Sequence, residues 1–214
     1  MCIRDRFAID SNGQITVADV SQLDFETSTS FTLDVLVSDG GTPALTDTAT
    51  ITIDLNDLNE LPVVNDQTFA VDENTGNGIV VGNVLGSDVD AGANGDLTFS
   101  ATGGTGLGAF AIDGNGQITV ADVSQLDFET SSSFTLDVLV SDGGTPALTD
   151  TATITIDLND LNELPVVNDQ TFAVDENTVN GVVVGNVLGS DVDAGTNGDL
   201  TLSLIHISEP TRPY

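Results

Sequence analysis

The chain has 214 residues, with 34 Asp or Glu against three Lys or Arg, and a formal net charge of −31. Phosphate neutralisation needs clustered cations, so this composition argues against nucleic-acid binding and against attachment to an anionic membrane surface. A hydrophobic share of 39% separates the chain from disordered acidic tails, and no apolar run approaches the ~18 residues of a membrane span.

Residues 1–6, "MCIRDR", lack the apolar stretch of a secretory signal and are unrelated to the repeat that begins at Phe7. There "FAIDSNGQITVADVSQLDFET" starts, and it returns as "FAIDGNGQITVADVSQLDFET" at Phe110, a period of 103 residues. Aligning 7–98 with 110–201 leaves five differences: Ser11/Gly114, Thr29/Ser132, Gly76/Val179, Ile79/Val182 and Ala93/Thr196. Such a period is too long for a helical solenoid and matches one small domain. The chain therefore divides into the C-terminal part of one repeat (7–65), a complete repeat (66–168) and the N-terminal part of a third (169–201).

Along the complete repeat, "TFAVDE" (68–73), "GIVVGNVLGSD" (78–88) and "LTFSATG" (97–103) are short β-rich runs bounded by turn residues. "AFAIDGNGQITVA" predicts a hairpin whose turn is Asp113-Gly114-Asn115-Gly116, with Asp113 and Asn115 as turn residues. In "SFTLDVLVSD", Phe134, Leu136, Val138 and Val140 alternate with Thr135, Asp137, Leu139 and Ser141. In "TATITIDLN", Ala152, Ile154, Ile156 and Leu158 share one face. "DGGTPAL" between these two runs predicts a tight connection. No helical periodicity competes, so the expected fold is all-β, a tandem of seven-stranded Greek-key β-sandwiches with immunoglobulin-like architecture. The only cysteine, Cys2, leaves no disulfide to staple it.

After Thr201 the repeat gives way to "LSLIHISEPTRPY". All three Arg, Met1, Cys2, His206 and Tyr214 lie in the two tails. ATG TGT ATA AGA GAC AG encodes the start of the first tail, and its reverse complement encodes the start of the second. One oligonucleotide read from both strands, resembling a transposase adapter of sequencing libraries, accounts for both. Residues 1–6 and 202–214 are therefore expected to be non-native, an expectation that a cleanly assembled longer gene retaining those codons would refute. His206 and Cys2 drop out as functional candidates, and the body 7–201 has no Lys or Arg at all.

The acids of that body gather at strand ends. Leu126 and Phe128 point inward in "QLDFET", which sends Asp127 and Glu129 to one outer face. Asp88, Asp90 and Asn94 sit where a strand runs into a Gly-rich loop, in "SDVDAGANGD", which recurs as "SDVDAGTNGD". Asp142 follows the strand ending at Val140. Asp160, Asn162 and Glu163 precede Pro165, which cannot donate to a ladder and marks the link to the next repeat. Grouped carboxylate and amide oxygens of this kind suit a hard cation such as Ca²⁺, which takes about 6–8 oxygen ligands. An EF-hand loop opened by Asp88 fails, because its sixth position is Ala93 and its twelfth Phe99. Paired carboxylates could serve glycoside hydrolysis, but a catalytic pair has little reason to be copied in series, so no enzyme is expected. Asp137, Asp150 and Asp157 are expected to form a solvated face.

Taken in order, "VDENT" (71–75), "DVDAGANG" (88–95), "LDFE" (126–129), "SDGGTP" (141–146) and "DLNELP" (160–165) resemble the successive signatures of a cadherin repeat, across the whole body. The resemblance implies Ca²⁺ bound between consecutive repeats. Carried over by position, the junction after the complete repeat would use Glu73, Asp127 and Glu129, the linker residues Asp160, Asn162 and Glu163, and Asp191, Asp193 and Asn197 of the next repeat. The preceding junction would use Asp24, Glu26, Asp57, Asn59, Glu60, Asp88, Asp90, Asn94 and Asp142. Alternatively, Asp157-Leu158-Asn159 supplies the first linker ligands. The linker departs from Asp-x-Asn-Asp-Asn-x-Pro and resembles bacterial cadherin-like repeats. No Trp is present for adhesive strand exchange.

The resemblance implies an extracellular, calcium-rigidified array of a large surface or secreted adhesin, membrane-anchored in its full-length form or not. Its partners would be other cell-surface proteins or glycans, homophilic contact included. Two rival expectations are a passive spacer holding another module away from the surface, and a glycan-binding module. The second is weakened because Phe is the only aromatic in the body.

Overall fold

The computed structural model describes residues 6–193 and 197–207. Seven strands build the two main sheets of the complete repeat: β1 (Gln67–Asp72), β2 (Val80–Asn83), β3 (Thr98–Gly103), β4 (Phe110–Ile112), β5 (Gln117–Val120), β6 (Ser133–Ser141) and β7 (Thr149–Asn159). They form a four-stranded sheet of order β1-β7-β6-β3 and a three-stranded sheet of order β4-β5-β2. All pairings within these sheets are antiparallel except β1 with β7, which run parallel from Gln67↔Ile154 to Asp72↔Asn159. The first and last strands of the repeat thus lie side by side.

The period-two pattern determines the core. Leu136, Val138 and Val140 of β6 and Ile154 and Ile156 of β7 are fully buried, together with Ile118, Val120 and Leu126 from the opposite side. Burying each such side chain contributes about 1.5–3 kcal/mol. Phe110 and Phe134 meet edge-on at 5.6 Å and 72°, closing one end. The intervening Thr and Asp residues face outward, as the alternation predicts.

The β4–β5 turn forms where expected. Asn115 N and Gln117 N both donate to Asp113 Oδ1 at 2.9 Å. Gly116 adopts φ +85°, with Val84 O so close that a side chain would not fit. One element is additional to the sequence-based expectation, a single 3-10 turn at Val123–Gln125 capped by Asp122, which accepts from Ser124 N at 3.1 Å. Three residues are too few to register as a period.

The partial repeats show what the missing strands do. In residues 7–65, Phe7–Ile9 pairs with Ile15–Val17, and Ser30–Ser38 with Thr46–Asp54, in the registers of β4/β5 and β6/β7. Yet Leu33, Val35, Ile51 and Ile53 are only half-buried, and Val37 is 63% exposed where its counterpart Val140 is 0%. In 169–207 the described residues form one strand, Gly189–Ser190, paired with Val166–Val167 of the linker. The counterpart of β1 is not a strand there, because β1 is held by its distant partner β7 rather than by local hydrogen bonds.

The linker continues into the complete repeat. Val63–Val64 pairs with Gly86–Ser87, and Val64, 5% exposed, joins the core. Val64 N donates to Asp150 Oδ2 at 2.9 Å. Asp150 is therefore more than part of a solvated face: it pins the incoming chain to β7, an acceptor role that a backbone N–H far away in sequence created.

Candidate metal centre

Three segments meet at the start of the complete repeat. "LDFE" of the preceding repeat ends in Glu26. The linker brings Asp57, Asn59 and Glu60, and the loop after Gly86–Ser87 brings Asp88 and Asp90. One carboxylate oxygen from each of Glu26, Asp57, Glu60 and Asp90 lies within 4.8 Å of the others. Glu60 N donates to Asp90 Oδ2 at 2.9 Å, and Asp90 N to Asp88 Oδ1 at 3.0 Å. Asn59 Nδ2 donates to Asp142 Oδ2 at 2.8 Å. Asp142 is itself buried and fixed, accepting on Oδ1 from Gly144 N and Leu148 N at 3.1 and 2.9 Å. Gly144 leaves no room for a side chain, because a Cβ there would overlap the Asn59 carboxamide.

The same construction recurs at the far end. Oxygens of Glu73, Glu129, Asp160 and Glu163 lie within 4.8 Å of one another. Glu73, 2% exposed, accepts from Phe128 N at 2.9 Å and from Leu161 N at 2.8 Å, joining the end of β1 to the LDFE loop and the linker. Glu163 N donates to Asp193 Oδ2 at 3.0 Å and Asp193 N to Asp191 Oδ1 at 3.1 Å, matching the bonds of Glu60, Asp90 and Asp88.

These groups are electrostatically strained. The Glu60 carboxyl is pushed up to about 7, first by its contact with the Asp90 carboxylate, then by loss of solvent and by the charges of Glu26, Asp90 and Asp57. Glu163 is pushed up to about 7 by Asp193, by loss of solvent, and by Glu73, Asp193 and Glu129. Glu129 is raised by loss of solvent and then by Glu73, Asp160 and Asp193. No Lys or Arg of the body is available to offset them.

Among the described residues, five side-chain oxygens at these junctions are shielded from solvent and have no hydrogen-bond donor: Asn59 Oδ1, Asp88 Oδ2 and Asp90 Oδ1 at the first, Glu163 Oε2 and Asp193 Oδ1 at the second. A buried carboxylate oxygen left unpaired costs several kcal/mol. Their convergence with exposed carboxylates fits an oxygen-liganded divalent cation of the Ca²⁺ type and does not suit a soft metal, since neither cluster contains His or Cys.

Not every expected ligand joins a cluster. Asp24 accepts from Thr27 N and Thr27 Oγ1 at 2.9 and 3.0 Å, and Asp127 accepts from Thr130 N at 2.9 Å, so both bind their own turns. Asn162 Nδ2 donates to Glu163 O at 3.1 Å. Asn94 is half-buried and Asn197 exposed. Asp191 stands behind Asp193 as the acceptor of its N–H. Asn74, which sequence reasoning passed over, adopts φ +58° and donates from Nδ2 to Glu163 Oε1 at 3.5 Å. Its position beside Glu73 in "VDENT" was the available signal.

Comparison with known proteins agrees with the fold. The family model of the cadherin domain matches residues 67–159. Protocadherin Fat 4 of Mus musculus and of Homo sapiens are each 36% identical over 208 residues, covering 94% of this chain and 4% of the relative. Protocadherin alpha-2 of Pan troglodytes is 34% identical over 196 residues, covering 85% of this chain and 20% of the relative. The chain thus spans a small part of the curated proteins it matches. Among solved structures, the protocadherin gammaB7 EC3-6 cis-dimer superposes with a TM-score of 0.73 at 25% identity, over 90% of this chain and 51% of that one. Mouse cadherin-23 EC22-24, at 24% identity and a TM-score of 0.71 over 90% of this chain and 63% of its own, supports the fold alone.

Proposed function

This chain belongs to the cadherin family, and on that premise we propose that it is a segment of an extracellular, calcium-dependent array whose junctions are stiffened by bound Ca²⁺ to serve cell adhesion. The observation that supports this reading best is the pair of junctions at which buried, donor-less oxygens from linker and following repeat meet carboxylates of the preceding repeat. Glu26, Asp57, Asn59, Glu60, Asp88 and Asp90 would hold the ion at the first junction, and Glu73, Glu129, Asp160, Glu163 and Asp193 at the second. Without it, like charges on the three segments repel and the linker swings. With it, the segments are bridged and neighbouring repeats are held in line.

Domain boundaries at 65/66 and 168/169 are proposed on the sequence period. Tails 1–6 and 202–214 are proposed as non-native. Support comes from Leu204 and Ile205, which are 78% and 95% exposed and belong to no strand, while 1–5 and 208–214 lie outside the described residues. A bacterial surface adhesin is the proposed setting, resting on the Asp-Leu-Asn-Glu-Leu-Pro linker. The proposed partner is another cell-surface protein, homophilic contact included. A glycan partner finds no support in a body whose only aromatic is Phe. The array has no proposed catalytic role.

The decisive experiment is a thermal melt of the chain in excess Ca²⁺ and in EDTA. Binding to the native state alone stabilises by about 2.7 kcal/mol at a hundred times Kd. An unchanged midpoint would refute the calcium reading.

A further inference from the structure

The loop between β1 and β2 reaches the second junction by two routes. Its first residues do so directly: Glu73 accepts from Phe128 N and Leu161 N, and Asn74 N donates to Leu126 O at 3.2 Å. Its last residues are fixed to the end of β5. Gly78 N donates to Val120 O at 2.7 Å and Val120 N to Ile79 O at 3.0 Å, with Gly78 at φ +82° turning the chain there. Between these two anchorages stands Asn77, whose Oδ1 accepts from Val123 N at 2.7 Å.

Val123 opens the 3-10 turn Val123–Gln125, and the first N–H groups of such a turn have no partner within it. Asp122 supplies an acceptor for Ser124 N, and Asn77 one for Val123 N. The two acceptors differ in role. Asp122 is adjacent in sequence, and its counterpart Asp19 caps the equivalent turn Val20–Gln22 in the same way, accepting from Ser21 N at 3.1 Å. Neighbouring residues are therefore enough to form the turn. Asn77 lies 46 residues away from Val123 and ties the turn to the β1–β2 loop, so what it adds is the turn's place in the repeat. From the turn the chain runs into the metal centre. Leu126 N donates to Val123 O at 3.0 Å, and the Leu126 side chain is fully buried. Glu129, just beyond, contributes an oxygen to the group with Glu73, Asp160 and Glu163. Its side chain is exposed, so the backbone leading to it sets where the carboxylate stands.

We propose that Asn77 is a positioning residue for the second junction: by holding Val123 it sets the LDFE segment where Glu129 meets Glu73 and the linker. The inference rests on the calcium reading above. Asn77 Oδ1 is engaged by Val123 N, so its part is played through the turn and not as a ligand. Partners of this kind, one step removed from the ligands, fix ligand orientation in metal sites generally. The first junction is assembled from Glu26, Asp57, Glu60 and Asp90, on other segments, and so provides an internal reference in the same molecule.

The test is a Ca²⁺ titration of the full chain followed by NMR, reading the amide signals of Glu129 and Glu163 for the second junction and of Glu26 and Glu60 for the first. Asn77→Ala should weaken the second junction by about tenfold, the lower end of the range for such supporting groups, and leave the first unchanged. Asn77→Asp keeps an acceptor for Val123 N and should restore the parent affinity. In EDTA the Val123 amide should exchange with solvent faster in Asn77→Ala than in the parent chain. A purely structural Asn77 would lower the melting midpoint in EDTA with the second junction's affinity at the parent value, and that result would overturn the inference. So would an equal loss at both junctions, or no rescue by Asn77→Asp. A parent chain whose signals respond to Ca²⁺ at neither junction would instead refute the calcium reading itself.

Discussion

The backbone N–H of Glu60 in the linker donates to Asp90 Oδ2, thirty residues further on, at 2.9 Å, leaving Asp90 Oδ1 buried without a donor. Asp90 thus fixes the linker while also supplying an oxygen to the group it forms with Glu26, Asp57 and Glu60. Asp90→Asn keeps an acceptor for Glu60 N and loses the charge. Altering groups that merely support a metal ligand typically costs about 10–100-fold in affinity, so the loss here should be at least about tenfold at the first junction, read by calorimetric Ca²⁺ titration. Asp96→Asn is the control: Asp96 is exposed and outside the cluster, and the titration should be unchanged.

Glu73 should behave differently from its exposed neighbours. Its two oxygens receive Phe128 N and Leu161 N, so Glu73→Ala removes a ligand and strands two backbone donors. The variant should lose about 1–3 kcal/mol even in EDTA, in line with an unsatisfied buried group. Glu129→Ala, exposed, removes a charge whose ionisation opposes folding, so it should destabilise only when calcium is present and in EDTA should leave the midpoint unchanged or raise it. Equal effects of the two substitutions in EDTA would contradict the anchoring role.

Identical substitutions at equivalent positions should have unequal effects. Leu136→Ala empties a fully buried site and should cost about 2–5 kcal/mol on the main unfolding transition. Leu33→Ala, its half-buried counterpart, should leave that transition in place. Chemical denaturation of both variants provides the comparison.

Stability in EDTA should pass through a maximum in acid. Glu60, Glu163 and Glu129 have folded-state values raised above the usual 4.5, so their ionisation opposes folding. That penalty is relieved as pH falls from above 7 to 4.5. Asp113, Asp122 and Asp150 are held below 3.8 chiefly by hydrogen bonds to backbone or neighbouring side chains, and at Asp142 burial, the largest single influence, is outweighed by the hydrogen bonds from Leu148, Asn59 and Gly144 together. Their contribution is full above 3.8 and disappears as pH falls through their folded values. Melts in EDTA should therefore peak at about pH 4–5. The calcium increment should shrink as pH drops through 7, because the ligands must be ionised. A monotonic rise to neutral pH in EDTA would contradict the assignment.

The strands of the complete repeat were legible because β6 and β7 alternate without interruption and the burial follows the alternation residue by residue. The convergence of LDFE, linker and loop was legible through recurring motifs rather than through spacing. What the sequence left open concerns where one oxygen points. Asp24 and Asp127 belong to the same motif as Glu26 and Glu129, yet their shorter side chains reach the N–H three residues on and accept from it. Asp150 looked like any outward strand acid until the linker placed Val64 N beside it. Such outcomes depend on tertiary proximity, which local pattern does not encode.

The parallel pairing of β1 with β7 has a mechanical meaning. The chain enters the repeat at one end of this ladder and leaves at the other, so tension along the array pulls the two strands past each other. All rungs from Gln67↔Ile154 to Asp72↔Asn159 are then loaded in shear and must yield together, instead of unzipping one by one. Single-molecule stretching of the chain should accordingly show one tall rupture for the complete repeat. The antiparallel hairpin of residues 30–54, tethered at neighbouring ends, should open at far lower force.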